Sequence, residues 1–164
     1  MRALVSFPDP LNEKAARVVA AVVLIISLVA LAGGWYWLAA VLAYGFVART
    51  LSGPKLSPLG WLASRQIAPR LGPAKPVPGP PKRFAQSIGA LLSSAAAVLA
   101  LASGQQLAAA ILLALLASAA ALEAIFAFCL GCRIFAALMR VGLIPAEVCT
   151  RCADIWAPQQ GAGA

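Results

Sequence analysis

The chain has 164 residues, of which 62% are hydrophobic and only 11% charged, where a soluble domain carries roughly a quarter charged residues. Together with a mean hydropathy of +0.90, this argues against a disordered chain, a nucleic-acid-binding basic domain and an ordinary cytosolic enzyme. The net charge of +8 has a simpler use at a bilayer, where Lys and Arg set topology and touch lipid headgroups.

A spanning helix needs about 20 mostly apolar residues, and four segments are read as spans. They cover residues 18–33, 35 to 48 or 51, 84–103 and 107–128. The first could also be read as a signal peptide with a cleavage site at Ala30-Leu31-Ala32. However, Asp9 and Glu13 in its flank and a second span directly after it favour an uncleaved helix. The second span is short, and Arg49 near its end is expected to snorkel to the interface. Gly33-Gly34 and Ser103-Gly104-Gln105-Gln106 are tight, uncharged turns, so the spans form two hairpins. Trp35-Tyr36-Trp37, where the first hairpin emerges, reads as an aromatic anchor at headgroup level. Small residues recur every four positions at Gly89, Ser93 and Ala97, and again at Ala110, Ala114 and Ser118. Such spacing lets helix backbones approach closely, although alanine is common enough here to produce it by chance.

All 13 Lys and Arg residues lie before the first span, between the second and third, or after the fourth. The positive-inside rule makes that side cytoplasmic, with both termini inside. The expected organisation follows: 1–14 an N-terminal cytoplasmic segment; 15–51 a transmembrane hairpin; 52–83 a Pro-rich basic loop; 84–128 a second hairpin; 129–156 a cytoplasmic cysteine module; 157–164 a disordered tail. In the loop, Pro73, Pro76, Pro78, Pro80 and Pro81 predict an extended linker. Residues 59–68 could form a short interfacial helix, with Trp61, Leu62 and Ile67 in the acyl boundary and Arg65 on phosphates. A plain solvated loop is the competing reading.

The cysteines read Cys129-Leu130-Gly131-Cys132 and Cys149-Thr150-Arg151-Cys152, a C-x2-C-x16-C-x2-C pattern. Residues 133–141 predict a short helix with Ile134, Leu138 and Val141 on one stripe and Gly142 as its stop. A second helix beginning near Pro145 would carry Cys149 and Cys152. In a reducing compartment such pairs favour metal or redox use over structural disulfides. Four thiolates could hold Zn in a tetrahedral site. Each pair could instead be a dithiol that cycles to a disulfide, aided by a helix N-terminus that favours the thiolate. An iron–sulfur cluster could use the same sulfurs, and four unligated thiols are the bland alternative. Spacing alone leaves zinc and redox nearly equal.

Glu123 lies in the fourth span, six residues before Cys129. A carboxyl at membrane depth is costly and is a functional candidate by default. It could relay a proton to the dithiol, donate a hydrogen bond to another helix, or be a neutral structural group. Six residues is not a same-face spacing, so direct contact with Cys129 is not expected. The chain has no histidine, which excludes histidine-based catalysis and histidine metal ligands.

Four stretches carry a family resemblance: Phe7-Pro8-Asp9-Pro10-Leu11-Asn12-Glu13, Ser57-Pro58-Leu59-Gly60, Arg83-Phe84-Ala85-Gln86 and Cys129-Leu130-Gly131-Cys132. Over about residues 6–156 the chain resembles the domain of unknown function 4395 family, small bacterial integral membrane proteins with a CxGC motif after the last span. The resemblance implies a four-helix membrane protein of uncharacterised function. Through relatives beside thioredoxin-like or sulfurtransferase-like proteins, it also implies thiol or sulfur chemistry. Relatives that stop soon after CxGC favour a dithiol role for Cys129 and Cys132, while Cys149 and Cys152 reopen the metal option.

The sequence thus leads to an all-α, four-span protein of the bacterial inner membrane with two CxxC pairs in a cytoplasmic tail. Its leading role is a thiol-redox component. Cys129 and Cys132 exchange, Cys149 and Cys152 resolve or relay, and the partner is a thioredoxin-like or sulfurtransferase-like protein. The alternative is a non-enzymatic scaffold whose tail is clamped by Zn on Cys129, Cys132, Cys149 and Cys152. A quinone-linked oxidoreductase is a third reading; known disulfide-generating membrane enzymes act outside the membrane, so it would need the opposite topology. A transporter has only Glu123 as a polar site at depth.

Overall fold

A computed structural model describes residues 10–53, 55–145 and Val148. Two residues, Leu11–Asn12 (β1), lead into the first long helix, Glu13–Gly33 (α1). Asn12 caps it: its side-chain oxygen accepts from the Lys14 N–H at 3.1 Å, and Glu13 places an acid in the positive first turn. Gly34, at φ +65, ends the helix in the left-handed conformation. The aromatic trio forms the turn, with Trp35 and Trp37 more than half exposed. The next helix, Leu38–Ser52 (α2), returns the chain to the end where α1 starts.

Residues 58–71 are helical rather than extended. Pro58–Leu62 (α3) is capped by Ser57 and continues through a π-helical turn, Ala63–Ile67, and a 3-10 turn, Ala68–Leu71. Pro76–Val77 (β2) pairs antiparallel with β1, Leu11 opposite Val77. This pins the loop to the start of α1, as do the Glu13–Lys75 ion pair at 3.0 Å and the Lys14 Nζ–Leu71 carbonyl bond at 2.7 Å. The interfacial-helix expectation for 59–68 is therefore met in conformation. Ala63 and Ala68 are fully buried, while Trp61 and Leu62 are exposed.

The third long helix, Gly79–Leu101 (α4), begins before the prolines that were expected to forbid it. Pro80 and Pro81 occupy its first turn, where no N–H needs an intrahelical partner and a fixed φ suits the helix. Lys82 and Arg83 thereby move from the loop into α4. Gln106–Phe126 (α5) follows, and Leu130–Arg140 (α6) packs back on the start of α4.

Three helices, α1, α4 and α5, are long and apolar enough to cross a membrane. The remaining expected span, the second in the chain (α2), has 15 residues. At about 1.5 Å per residue that is about 22 Å, against a hydrocarbon core of about 30 Å. It starts later than read because the aromatic turn takes 35–37, and it runs on to Ser52, where Gly53 ends it.

The hairpins do not pack as separate pairs. α1 lies chiefly on α5, α2 on α4, and α4 on α5, while α1 and α2 touch far less. Val23, Leu42, Ala96, Leu113 and Leu116 meet in the core. Gly89 and Ser93 are buried as the small-residue stripe of the third span predicts, but Ala96 rather than Ala97 completes the face. A side chain at Gly89 would lie 2.3 Å from the Phe46 ring, so glycine sets the α2–α4 approach. The matching stripe in the fourth span fails. Ala114 and Ser118 are exposed, and the buried face runs through Ala109, Leu113, Leu116, Ala117 and Ala120.

Candidate functional site at the CxGC end of the bundle

The chain leaves α5 through a tight reversal. The Ala127 N–H bonds the Glu123 carbonyl and the Phe128 N–H bonds the Leu122 carbonyl, both at 3.1 Å. The first is the αL capping bond, yet its left-handed residue is Ala127, at φ +55, and not a glycine. Arg17 of α1 closes the same helix end. Its Nη2 donates to the Ala124 carbonyl at 3.0 Å and the Ile125 carbonyl at 3.2 Å, a cation on carbonyls at the negative pole of α5.

Two residues later Cys129 caps α6: its Sγ accepts from the Cys132 N–H at 3.4 Å. The structure pairs Cys129 and Cys132 in a disulfide, their Cα atoms 5.2 Å apart. Both are half-buried. A Cys129 thiolate would sit at the positive pole of α6. Arg133 adds a cation nearby, its guanidinium 5.1 Å from the Phe128 ring centre.

Gly131 explains the glycine in the motif. A Cβ there would lie 2.6 Å from the Ala85 Cβ and 2.7 Å from its Cα, so only glycine lets α6 dock on α4. Next to it the Phe84 and Phe135 rings pack at a tilt of 57°, with centroids 5.6 Å apart. Phe135 and Met139 form the inward face of α6, and Ile144, beyond the helix end, packs against Phe135. The stripe expected from Ile134, Leu138 and Val141 is not: Ile134 and Val141 are exposed. The helix also starts at Leu130 rather than Arg133 because Cys129 supplies its cap.

Glu123 is paired with Lys82 of α4, and both side chains are less than one-fifth exposed. The reversal at Ala127 also undoes the spacing objection. Glu123 and Cys129 line one cavity of about 190 Å3 between α1, α4, α5 and α6, together with Gln86 and apolar residues such as Val19, Val23 and Leu116.

Beside the cavity Arg49 is turned inward and is 6% exposed, contrary to the snorkelling expectation. Its Nε donates to Gln86 Oε1 at 3.0 Å and its Nη1 to Ser57 Oγ at 3.3 Å, and it lies 4.7 Å from the Phe46 ring centre. The sequence reading missed Arg49, Lys82, Arg17 and Gln86. A basic residue inside an apolar run was the available signal for Arg49, and prolines at first-turn positions were the signal for Lys82. Cys149 and Cys152, the other half of the zinc and relay readings, lie outside the described residues. Among the described residues no three metal-ligating side chains gather.

Residues 11–140 match the family model of a domain of unknown function (DUF4395), and the chain belongs to that family. No curated protein and no solved structure matches it.

Proposed function

We propose that this family member is a thiol–disulfide exchange component of the bacterial inner membrane, with Cys129 and Cys132 as the exchanging pair. One observation carries the reading: a disulfide-paired CxGC whose first cysteine caps a helix, half-exposed, at the end of a membrane bundle. The cap and Arg133 stabilise a thiolate, the species that attacks a disulfide. Partial exposure admits a thioredoxin-like or sulfurtransferase-like partner. Glu123 is a proton relay for the pair, supported by its place in the same cavity wall. Cys149 and Cys152 act as the resolving or relay pair.

The bilayer location is supported by the apolar helices and by the gathering of the described Lys and Arg residues at the CxGC end. The positive-inside rule makes that end cytoplasmic.

The test is a thiol and metal count on the detergent-purified full chain. Metal-free protein whose thiols rise by two or four on reduction supports exchange. Stoichiometric zinc with four metal-protected thiols overturns it in favour of a structural clamp. A Cys132→Ser variant should then trap a mixed disulfide through Cys129, and Cys129→Ser should not if Cys129 is the attacking sulfur.

A further inference from the structure

The cavity that Cys129 and Glu123 share is built for a ring-shaped apolar ligand. Its walls are chiefly aliphatic, and its polar groups sit at the end nearest the cysteines. At about 190 Å3 it exceeds the apolar cavity of about 150 Å3 that is known to admit benzene. Leu115, Leu130 and Ile134 line it and are themselves exposed, so it opens on the outer apolar surface of the bundle. A ligand dissolved in the bilayer can enter there. Gln86 offers an amide N–H and Glu123 a carboxyl toward the ligand's polar edge.

We propose that this cavity binds the ring of a lipid-borne quinone, which accepts the electrons that leave the Cys129–Cys132 dithiol. The inference rests on the exchange reading above and names its oxidant; because the cavity opens to lipid, a quinone reaches it with the CxGC end on either face, so the opposite topology suggested by likeness to the known disulfide-generating enzymes is not required. The two thiols lose two protons and two electrons, and a sulfur–sulfur bond forms between Cys129 and Cys132. The quinone gains both electrons and both protons, and its two carbonyls become hydroxyls. Glu123 passes one proton from the thiol side to the ring oxygen. No other oxidant is required, and the cycle closes when a reduced partner returns two electrons to the disulfide.

The experiment uses the full chain in nanodiscs, reduced, freed of reductant and kept anaerobic. The probe is decylubiquinone, whose fully substituted ring blocks thiol addition and leaves only electron transfer. Loss of quinone absorbance is followed with the thiol count. The expected result is one quinone reduced per two thiols lost. Ala119 lines the cavity from α5, four residues before Glu123, and Ala119→Phe, which narrows the cavity without replacing a cysteine or a polar group, should slow this at least tenfold. Its reaction with oxidised glutathione should stay at the wild-type rate. Ala119→Leu, a smaller intrusion, should fall between the two and serves if the larger variant does not fold. Exchange with glutathione but no quinone reduction overturns the inference and leaves the exchange reading standing. Equal quinone rates in wild type and both variants also overturn it, as expected if an acyl chain or another part of this chain fills the cavity. Reaction with neither oxidant overturns both readings.

Discussion

Glu123 and Lys82 form an ion pair with little exposure to water, which decides how substitutions there behave. Removing one partner leaves the other charge buried and unpaired, a loss of about 3–5 kcal/mol. Replacing both with apolar residues of similar size removes that penalty. Lys82→Met and Glu123→Leu should each lower the thermal unfolding midpoint in detergent sharply, and the double variant should recover most of the loss. Additive losses would mean that the two groups do not act as a pair. At Ala127 the sign reverses. A left-handed alanine costs about 1–2 kcal/mol, and glycine returns about 0.4–1 kcal/mol of that through unfolded-chain entropy. Ala127→Gly should therefore raise stability by about 0.5–1 kcal/mol, read from the same midpoint. Of these residues only Glu123 stands out in the sequence, because a carboxylate in an apolar run is conspicuous. Lys82 follows five prolines within nine residues, and only the first-turn tolerance of proline carries it into the membrane bundle.

The α4–α6 contact has one determinant that a helix pattern does not display. Gly131 is needed for close approach to Ala85 and not for its backbone angles, so its role appears only when α6 is placed on α4. Gly131→Ala forces a methyl group against backbone, which cannot yield as a flexible side chain can. The expected cost is about 1–3 kcal/mol, together with a change in the rate at which Cys129 and Cys132 react with a small disulfide. Leu130→Ala, at a neighbouring position that is 44% exposed, should change stability little. Equal effects from the two would remove the docking role of the glycine. The sequence does show the stop of α6 at Gly142, at φ +78, and the end of α5 just before the motif, but not the Cys129 cap that starts α6 three residues earlier than read. It misassigns the inward face because Ile134, Leu138 and Val141 form as regular an apolar stripe as Phe135 and Met139. The choice between them belongs to Phe84 on another helix.

For the whole molecule, apolar runs and uncharged turns reveal the long helices, since each span needs its own length of hydrocarbon-compatible chain. They do not reveal the order in which the helices pack. Every long helix is chiefly apolar, and lipid rewards no particular face, so contact is decided by small residues and by buried pairs. That is why Gly89 against Phe46 joins elements from different hairpins, why Lys82 against Glu123 ties α4 to α5 within one, and why α1 rests on α5. Charge placement is different, because it acts during insertion rather than through packing. The Gly34–Trp37 and Ser103–Gln105 turns carry no Lys or Arg, and the described basic residues lie toward the opposite end. With the native cysteines replaced by serine, Ser103→Cys and Gln66→Cys place single thiols at exposed sites on the two ends. On spheroplasts, a membrane-impermeant maleimide should label Ser103→Cys at once and Gln66→Cys only after permeabilisation. The reverse pattern would put the CxGC pair on the outer face. Its exchange partner would then have to be an exported protein, while the cavity's opening toward lipid would be unchanged.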